Sequence, residues 1–262
     1  MTPEKLLSKL LIDLRSTWAK PGKNLLDLES YAATLLTILG AKSANRGYHP
    51  SWSKTPYPAI LCLSVNDTIS HGIPHSYTLK DGDLLTIDCG LSVDNSFADA
   101  ALTIGIGTIS NRDERLLRFA KKALEVGISC VKPGVKVTEP GRAIEKFARQ
   151  NGFVVNKRLG GHGIGMQMHE EPVIPMHDIG VQEIKTIVNG KPKYTYKDWE
   201  NLPVFEIGKR YCLEPHLSYK DQYGIMKGDG WTIMTKDGKK SAMFEHEIEV
   251  TADGCRVLTT HI

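Results

Sequence analysis

Apolar residues recur at helical spacing from the start of the chain. Leu6, Leu7, Leu10, Leu11, Leu14 and Trp18 fall on one face of a predicted helix over residues 5–18, which the Lys20-Pro21-Gly22 turn ends. A second helix follows over Leu25–Leu39, with Gly40 placed to cap it. The turn returns 112 residues later as Lys132-Pro133-Gly134, between predicted helices at 111–129 and 139–151. The repeat points to two similar halves, each a helix, a Lys-Pro-Gly turn, a second helix and then strands. Such halves can pack as one pseudo-symmetric α+β domain with helices covering a sheet.

Elsewhere the period changes from helix to strand. Residues 84–90 and 97–104 read as two apolar strands around the turn residues Asp94-Asn95-Ser96, a hairpin with one aspartate, Asp88 or Asp99, on each arm. Alternation in residues 242–250 puts Phe244, His246, Ile248 and Val250 on one face and Glu245, Glu247 and Glu249 on the other. Glu247 and Glu249 are expected on a solvated face, and pattern alone does not separate Glu245 from them. Residues 175–203, with Asn189-Gly190 and Tyr194-Thr195-Tyr196, read as a surface hairpin inserted before the last strands.

Composition changes this picture little. With 262 residues, 41% of them hydrophobic, the chain can supply a sizeable core. Lys plus Arg number 33 against 30 Asp plus Glu, and the basic residues are scattered, which argues against a dedicated nucleic-acid binder. Five cysteines without a C-x-x-C pair indicate neither a disulfide framework nor a zinc ribbon and fit a reducing compartment. No segment reaches the roughly 18 apolar residues of a membrane span, and the N-terminus lacks a leader pattern. A cytoplasmic protein without a membrane partner is expected.

The candidate chemistry lies in a few polar residues within apolar surroundings. Asp88 and Asp99 sit in apolar strands, where a carboxylate is costly to bury unless paired or bound to a cation. In Gly160-Gly161-His162-Gly163-Ile164-Gly165 four glycines surround one histidine, so the backbone can pass close to a neighbour while aiming the imidazole. The run lacks the Lys-Ser/Thr of a P-loop and the register of a dinucleotide turn. His169 follows seven residues after His162, then Glu214 in a Glu-Pro pair, and Glu245 before His246.

The ordered set His71-Gly72-Ile73-Pro74, Asp88, Asp99, Gly161-His162-Gly163-Ile164-Gly165, His169-Glu170-Glu171-Pro172, Glu214-Pro215 and Glu245-His246 resembles the signature of type I methionine aminopeptidases. Order, residue type and spacing agree at once over residues 18–262. The resemblance implies the pita-bread fold, with pseudo-two-fold α/β halves and helices covering a curved antiparallel sheet, as one catalytic domain over residues 1–262 that includes the helices of residues 1–40. It implies Asp88, Asp99, His162, Glu214 and Glu245 as ligands of two divalent cations, a set compatible with manganese, iron, cobalt or zinc. Four carboxylates in one pocket would repel one another, and two such ions, roughly 3.5–4 Å apart, cancel that charge.

Further roles follow from the same resemblance. Glu214 resembles the family's proton-shuttling ligand, while His169 matches the group that steadies the developing oxyanion and His71 the one that meets the scissile amide. Tyr57, Cys62 and Trp231 match the methionine pocket, together with Met168 and, less closely, Tyr48. Implied partners are peptides and nascent chains beginning with methionine, met transiently at the ribosome by a monomer. Met168 departs from the aromatic residue that many relatives carry before the second histidine. The segment before Tyr57 is a few residues longer than in relatives, and the 175–203 stretch is longer by nearly twenty. The chain shows neither the N-terminal zinc-finger extension of eukaryotic cytosolic forms nor the helical insert of the type II class, which favours a bacterial-type architecture. A proline-directed peptidase of the same fold and a non-catalytic peptide-binding relative are the alternatives; the first usually carries a large extra N-terminal domain, and the second has usually lost ligands that are present here.

Overall fold

A computed structural model describes residues 1–180 and 202–260. The hairpin expected within residues 175–203 therefore lies largely outside the described residues. Helix α1 (Pro3–Asp13) starts earlier than its apolar stripe predicts, because Pro3 suits the first turn of a helix. It ends in a single π-helical turn over Leu14–Trp18, where the Ala19 N–H reaches back to the Leu14 carbonyl. Helix α2 (Leu25–Leu39) is capped by Asn24, whose side chain accepts from the Leu26 N–H, and ends at Gly40. Helices α3 (Asn111–Ser129) and α4 (Glu139–Gln150) fall where periodicity places them. At the start of α3, Ser110 Oγ accepts from the Asp113 N–H and donates to the Asp113 carboxylate.

The two Lys-Pro-Gly turns do the same job in both halves. The Gly22 N–H donates to the Leu79 carbonyl, the Leu79 N–H returns to Lys23, and the Leu25 N–H reaches Tyr77. In the second half Gly134 donates to Phe205, Phe205 to Val135, and Val137 to Pro203. Both turn glycines have positive φ, 85° and 79°, which an L side chain adopts only under strain. The repeat read from three residues is thus a repeat of backbone pairing.

Fifteen strands form four antiparallel sheets among the described residues. The first joins β1 (Lys42–Ser43), β2 (Cys62–Val65), β4 (Leu84–Val93) and β5 (Ser96–Gly105); the second joins β3 (Thr68–Ser70), β11 (Ile225–Met226) and β12 (Ile233–Met234). The third holds β6 (Val154–Val155), β10 (His216–Ser218) and β13 (Ser241–Met243). The fourth runs β15 (Cys255–Val257), β14 (His246–Val250), β9 (Arg210–Leu213), β7 (Gly160–Ile164) and β8 (Glu170–Pro175). The β4–β5 hairpin closes through Asp94 and Asn95, both at positive φ, the two-residue turn that follows strand twist. Both arms run longer than predicted because the turn holds only two residues.

The helices cover these sheets. Leu7, Leu10, Leu11 and Leu14 are fully buried against β4 and β5, where side chains such as Leu85, Ile87 and Leu91 lie within the same core. Burying each such leucine contributes about 1.5–3 kcal/mol, so the helix is held by its packed face more than by propensity. One further link matters for the site: Ala101 of β5 bridges Glu245, whose N–H donates to the Ala101 carbonyl at 2.9 Å, and so joins the first sheet to the chain just before β14.

Candidate metal centre and substrate pocket

Strand register accounts for the convergence of the acidic residues. Asp88 pairs with Cys62 on one side and Ala101 on the other, and Ala101 in turn bridges Glu245. Asp99 stands two residues before Ala101, so its side chain shares a face with that of Asp88. The eleven-residue step between the aspartates is therefore the diagonal of a two-residue hairpin. In the fourth sheet His162 pairs with Cys212, and Cys212 with Glu247. Glu214 and Glu245 lie two positions beyond those partners and share their face by alternation.

The resulting cluster is tight. Oxygens of Asp88, Asp99 and Glu245 lie within 4.8 Å of one another, as do ligand atoms of Asp99, His162 and His169. His162 Nε2 stands 3.9 Å from both Asp99 Oδ2 and Glu214 Oε1. Its Nδ1 lies 3.0 Å from the Gly163 carbonyl; with the ring proton donated there, the Nε2 lone pair faces the carboxylates. Gly161 is required beside it, since a Cβ there would come within 2.1 Å of the Cys212 carbonyl oxygen.

The electrostatics call for a cation. Burial, followed by mutual repulsion, holds Asp99, Glu214 and Glu245 well above the usual carboxylate range. Burial raises Asp88 to about 7, against a lowering contact from the Cys62 thiol. Asp99 Oδ1 and Glu245 Oε1 are buried without a hydrogen-bond partner among the described residues. Orphaned buried acceptors are costly, and oxygen donors around one imidazole suit divalent ions, so the residues present fit a metal centre.

Two histidines flank it. The His169 ring lies 4.3 Å from that of His162 and 4.8 Å from that of Tyr48, centroid to centroid, and the residue as a whole is exposed. His71 adopts a positive φ of 55°, and its Nδ1 is buried without a partner among the described residues. Burial pushes its pKa down to about 4, so the ring is neutral at physiological pH.

Next to His71 is an apolar cluster separate from the main core, formed by Tyr57, Ala59, Cys62 and Trp231 with Tyr48 and Ile73 packed against it. Tyr57 meets Trp231 edge-on at 5.0 Å, and the Trp231 indole N–H donates to the Thr55 carbonyl at 3.0 Å. Tyr48, Tyr57, Cys62 and Trp231 are therefore brought together. Met168 stands outside this cluster, with its sulfur over Gly90, where a Cβ would come within 2.5 Å.

Four positions escaped the pattern. Glu247 is fully buried rather than solvated, because Arg210 from the neighbouring strand donates to it at 2.8 Å. Burial nevertheless outweighs the guanidinium and holds this carboxyl at about 8. Glu249 is half-buried and pairs with Arg256 at 2.9 Å. His216, directly after Glu214-Pro215, is buried with both ring nitrogens unpartnered among the described residues, and its Nε2 lies 3.9 Å from Glu214 Oε2. Its closeness to Glu214 in sequence was the available signal. Trp52 stacks along His71 at 6.1 Å, which nothing in the local sequence foretells.

Residues 5–252 match the model of metallopeptidase family M24, which defines the chain as a metal-dependent hydrolase. A methionine aminopeptidase of Aquifex aeolicus is 36% identical over 92% of this chain and 87% of its own length, and one of Mycobacterium tuberculosis is 34% identical over 92% and 84%. The crystal structure of a methionine aminopeptidase from Rickettsia prowazekii superposes with a TM-score of 0.85 at 27% identity, covering 98% of this chain and 94% of that one. A prolidase from Pyrococcus furiosus, at 16% identity and a TM-score of 0.68, shares the fold alone. Within family M24, the chain belongs to the methionine aminopeptidases. No helix among the described residues is long and apolar enough to cross a membrane.

Proposed function

We propose that Asp88, Asp99, His162, Glu214 and Glu245 hold two divalent cations, and that the site hydrolyses the peptide bond after an N-terminal methionine. The observation that carries this reading is the pair of partnerless buried oxygens, Asp99 Oδ1 and Glu245 Oε1, within a cluster bordered through Cys62 by an apolar pocket. When bound, the cations make a water acidic near neutral pH and polarise the substrate carbonyl. The one-imidazole, four-carboxylate set suits manganese, iron(II), cobalt or zinc.

The chain's own residues do the rest. Glu214 presents one oxygen towards His162 and the other towards His216, each 3.9 Å away, and it takes the proton of the attacking water and passes it to the leaving amine. Neutral His169, at the open side of the cluster, donates to the carbonyl oxygen as charge grows there, and His71 meets the scissile amide. The rings of Tyr57 and Trp231 with the Cys62 thiol receive the methionine side chain, where sulfur–aromatic contacts contribute about 0.3–1.5 kcal/mol. Substrates are the N-termini of newly made proteins, met transiently at the ribosome by a monomeric cytoplasmic enzyme.

The test is release of free methionine from Met-Gly-Met-Met and from its N-acetylated form by metal-stripped protein, with manganese, cobalt, iron(II) or zinc restored. Cleavage of the free peptide alone, abolished in Glu214→Ala, is the expected result. Two ions bound without release from any methionyl peptide would overturn the reading.

A further inference from the structure

Trp52 is exposed over 43% of its surface, which by itself is ordinary for a single side chain. What sets it apart is how firmly its place is fixed. The loop that bears it is closed at the neck by Gly47 N–H to the Tyr57 carbonyl at 2.9 Å and Tyr57 N–H to the Tyr48 carbonyl at 2.8 Å. Inside the loop, Ser53 donates from its N–H to the Pro50 carbonyl and from its hydroxyl to the Thr55 carbonyl, the same carbonyl that receives the Trp231 indole. The Trp52 ring packs against Trp231 at 4.9 Å with 65° between planes and lies along His71 at 6.1 Å with 22° between planes.

We propose that the open face of Trp52 is a subsite for the side chain of the third substrate residue, and that it favours an aromatic or large apolar residue there. This rests on the reading that Trp231 lines the methionine pocket and that His71 meets the scissile amide. Side chains of an extended peptide alternate, so the first and third share a side and stand two residues, roughly 6.6 Å, apart. A chain whose first side chain lies on Trp231 and whose first amide passes His71 leads its third side chain towards the ring that touches both. The second side chain points to the opposite side, so Trp52 does not read it. Ring stacking on a fixed, part-exposed indole favours the matching peptide by roughly two- to tenfold.

The measurement is kcat/KM for Met-Ala-Phe-Gly against Met-Ala-Ser-Gly with the metal-loaded full chain, in wild type, Trp52→Ala and Trp52→Phe. The wild type prefers the phenylalanine peptide by the factor above, Trp52→Ala brings the ratio close to one, and Trp52→Phe recovers part of it. A wild-type ratio near one, or a ratio that survives Trp52→Ala even where both rates fall together, would overturn the proposal, since the latter is what a merely buttressing residue gives. If the wild type releases no methionine from either peptide, the aminopeptidase reading has failed. The same two peptides and variants, compared by calorimetric binding, then decide the subsite through the ratio of their Kd values.

Discussion

Replacing Arg210 with methionine keeps an unbranched side chain of similar reach but removes a guanidinium that serves five acceptors. Its Nη1 lies 2.6 Å from Glu4 of α1, 2.8 Å from Glu247 and 3.3 Å from the Phe97 carbonyl, and its Nη2 lies 3.3 Å from Ser96 Oγ and 3.4 Å from the Gly165 carbonyl. These groups belong to the first helix, the β4–β5 hairpin, the glycine-rich strand end and β14, so one side chain ties together four segments. The Glu4 contact is part-exposed and counts for little. The fully buried Glu247 is different, for losing Arg210 takes away the guanidinium that donates to its Oε1, while its Oε2 already lacks a donor among the described residues. One lost hydrogen bond to a buried charged group at about 1.5–3 kcal/mol, with two weaker carbonyl contacts, sums to about 3 kcal/mol. For a chain of this size that lowers Tm by about 6–12 °C. Urea unfolding of the metal-stripped protein, followed by circular dichroism, measures it. Arg210→Lys recovers little, because one ammonium cannot span the fork of acceptors, while Arg210→Met with Glu247→Leu recovers most of the loss. A loss below about 1 kcal/mol in Arg210→Met, or a double variant no more stable than the single one, refutes the reasoning.

Further outcomes are expected on the same grounds. Manganese affinity should fall as pH drops from 8 to 6, because Asp88 is raised to about 7 and a protonated carboxyl must lose its proton before it can hold an ion; calorimetry giving a flat affinity across that window contradicts this. Gly161→Ala drives a methyl group into the Cys212 carbonyl at 2.1 Å and should separate β7 from β9, so metal binding is lost and stability falls by several kcal/mol; a variant that binds manganese like the wild type counts against the role given to this strand pair. Tyr57→Phe removes the hydroxyl that lies 3.0 Å from the Gly72 carbonyl and 3.1 Å from that of Leu61. It should cost about 1–2 kcal/mol and raise KM for methionyl peptides more than it lowers kcat, which steady-state kinetics can read.

What sequence could and could not supply divides along a physical line. Helices α2, α3 and α4 were legible because each carries its own period and boundary chemistry, as in Ser110 before Asn111 or Gly40 after Leu39. The five candidate ligands were singled out by the family resemblance of an ordered set of residues, not by pattern alone, and register shows why one of the spacings is fixed: an eleven-residue step with a two-residue turn returns Asp99 to the face of Asp88. Glu247 was not legible, because its burial depends on Arg210, 37 positions away. The same holds for Glu29, whose carboxylate accepts the Ile60 and Leu61 N–H groups and braces the approach to Cys62. Alternation tells which residues share a face; it does not tell what covers that face.

That distinction also locates the chemistry. Asp88 and Asp99 come from a hairpin of the first half, and from the second come His162 of β7, Glu214 just after β9 and Glu245 just before β14, with Ala101 bridged to Glu245 at the seam. Neither half alone can gather the set, so the carboxylates meet only when the halves are docked. Their mutual repulsion and burial then act against that docking, and a divalent ion that neutralises them acts in its favour. Metal binding should therefore stabilise the interface between the halves more than either half by itself. Amide exchange at Glu245 and in β5, whose backbone spans the seam, should slow on adding manganese by a larger factor than exchange in α2, which lies away from it. Uniform slowing through both regions would mean that the ions merely favour the folded chain as a whole.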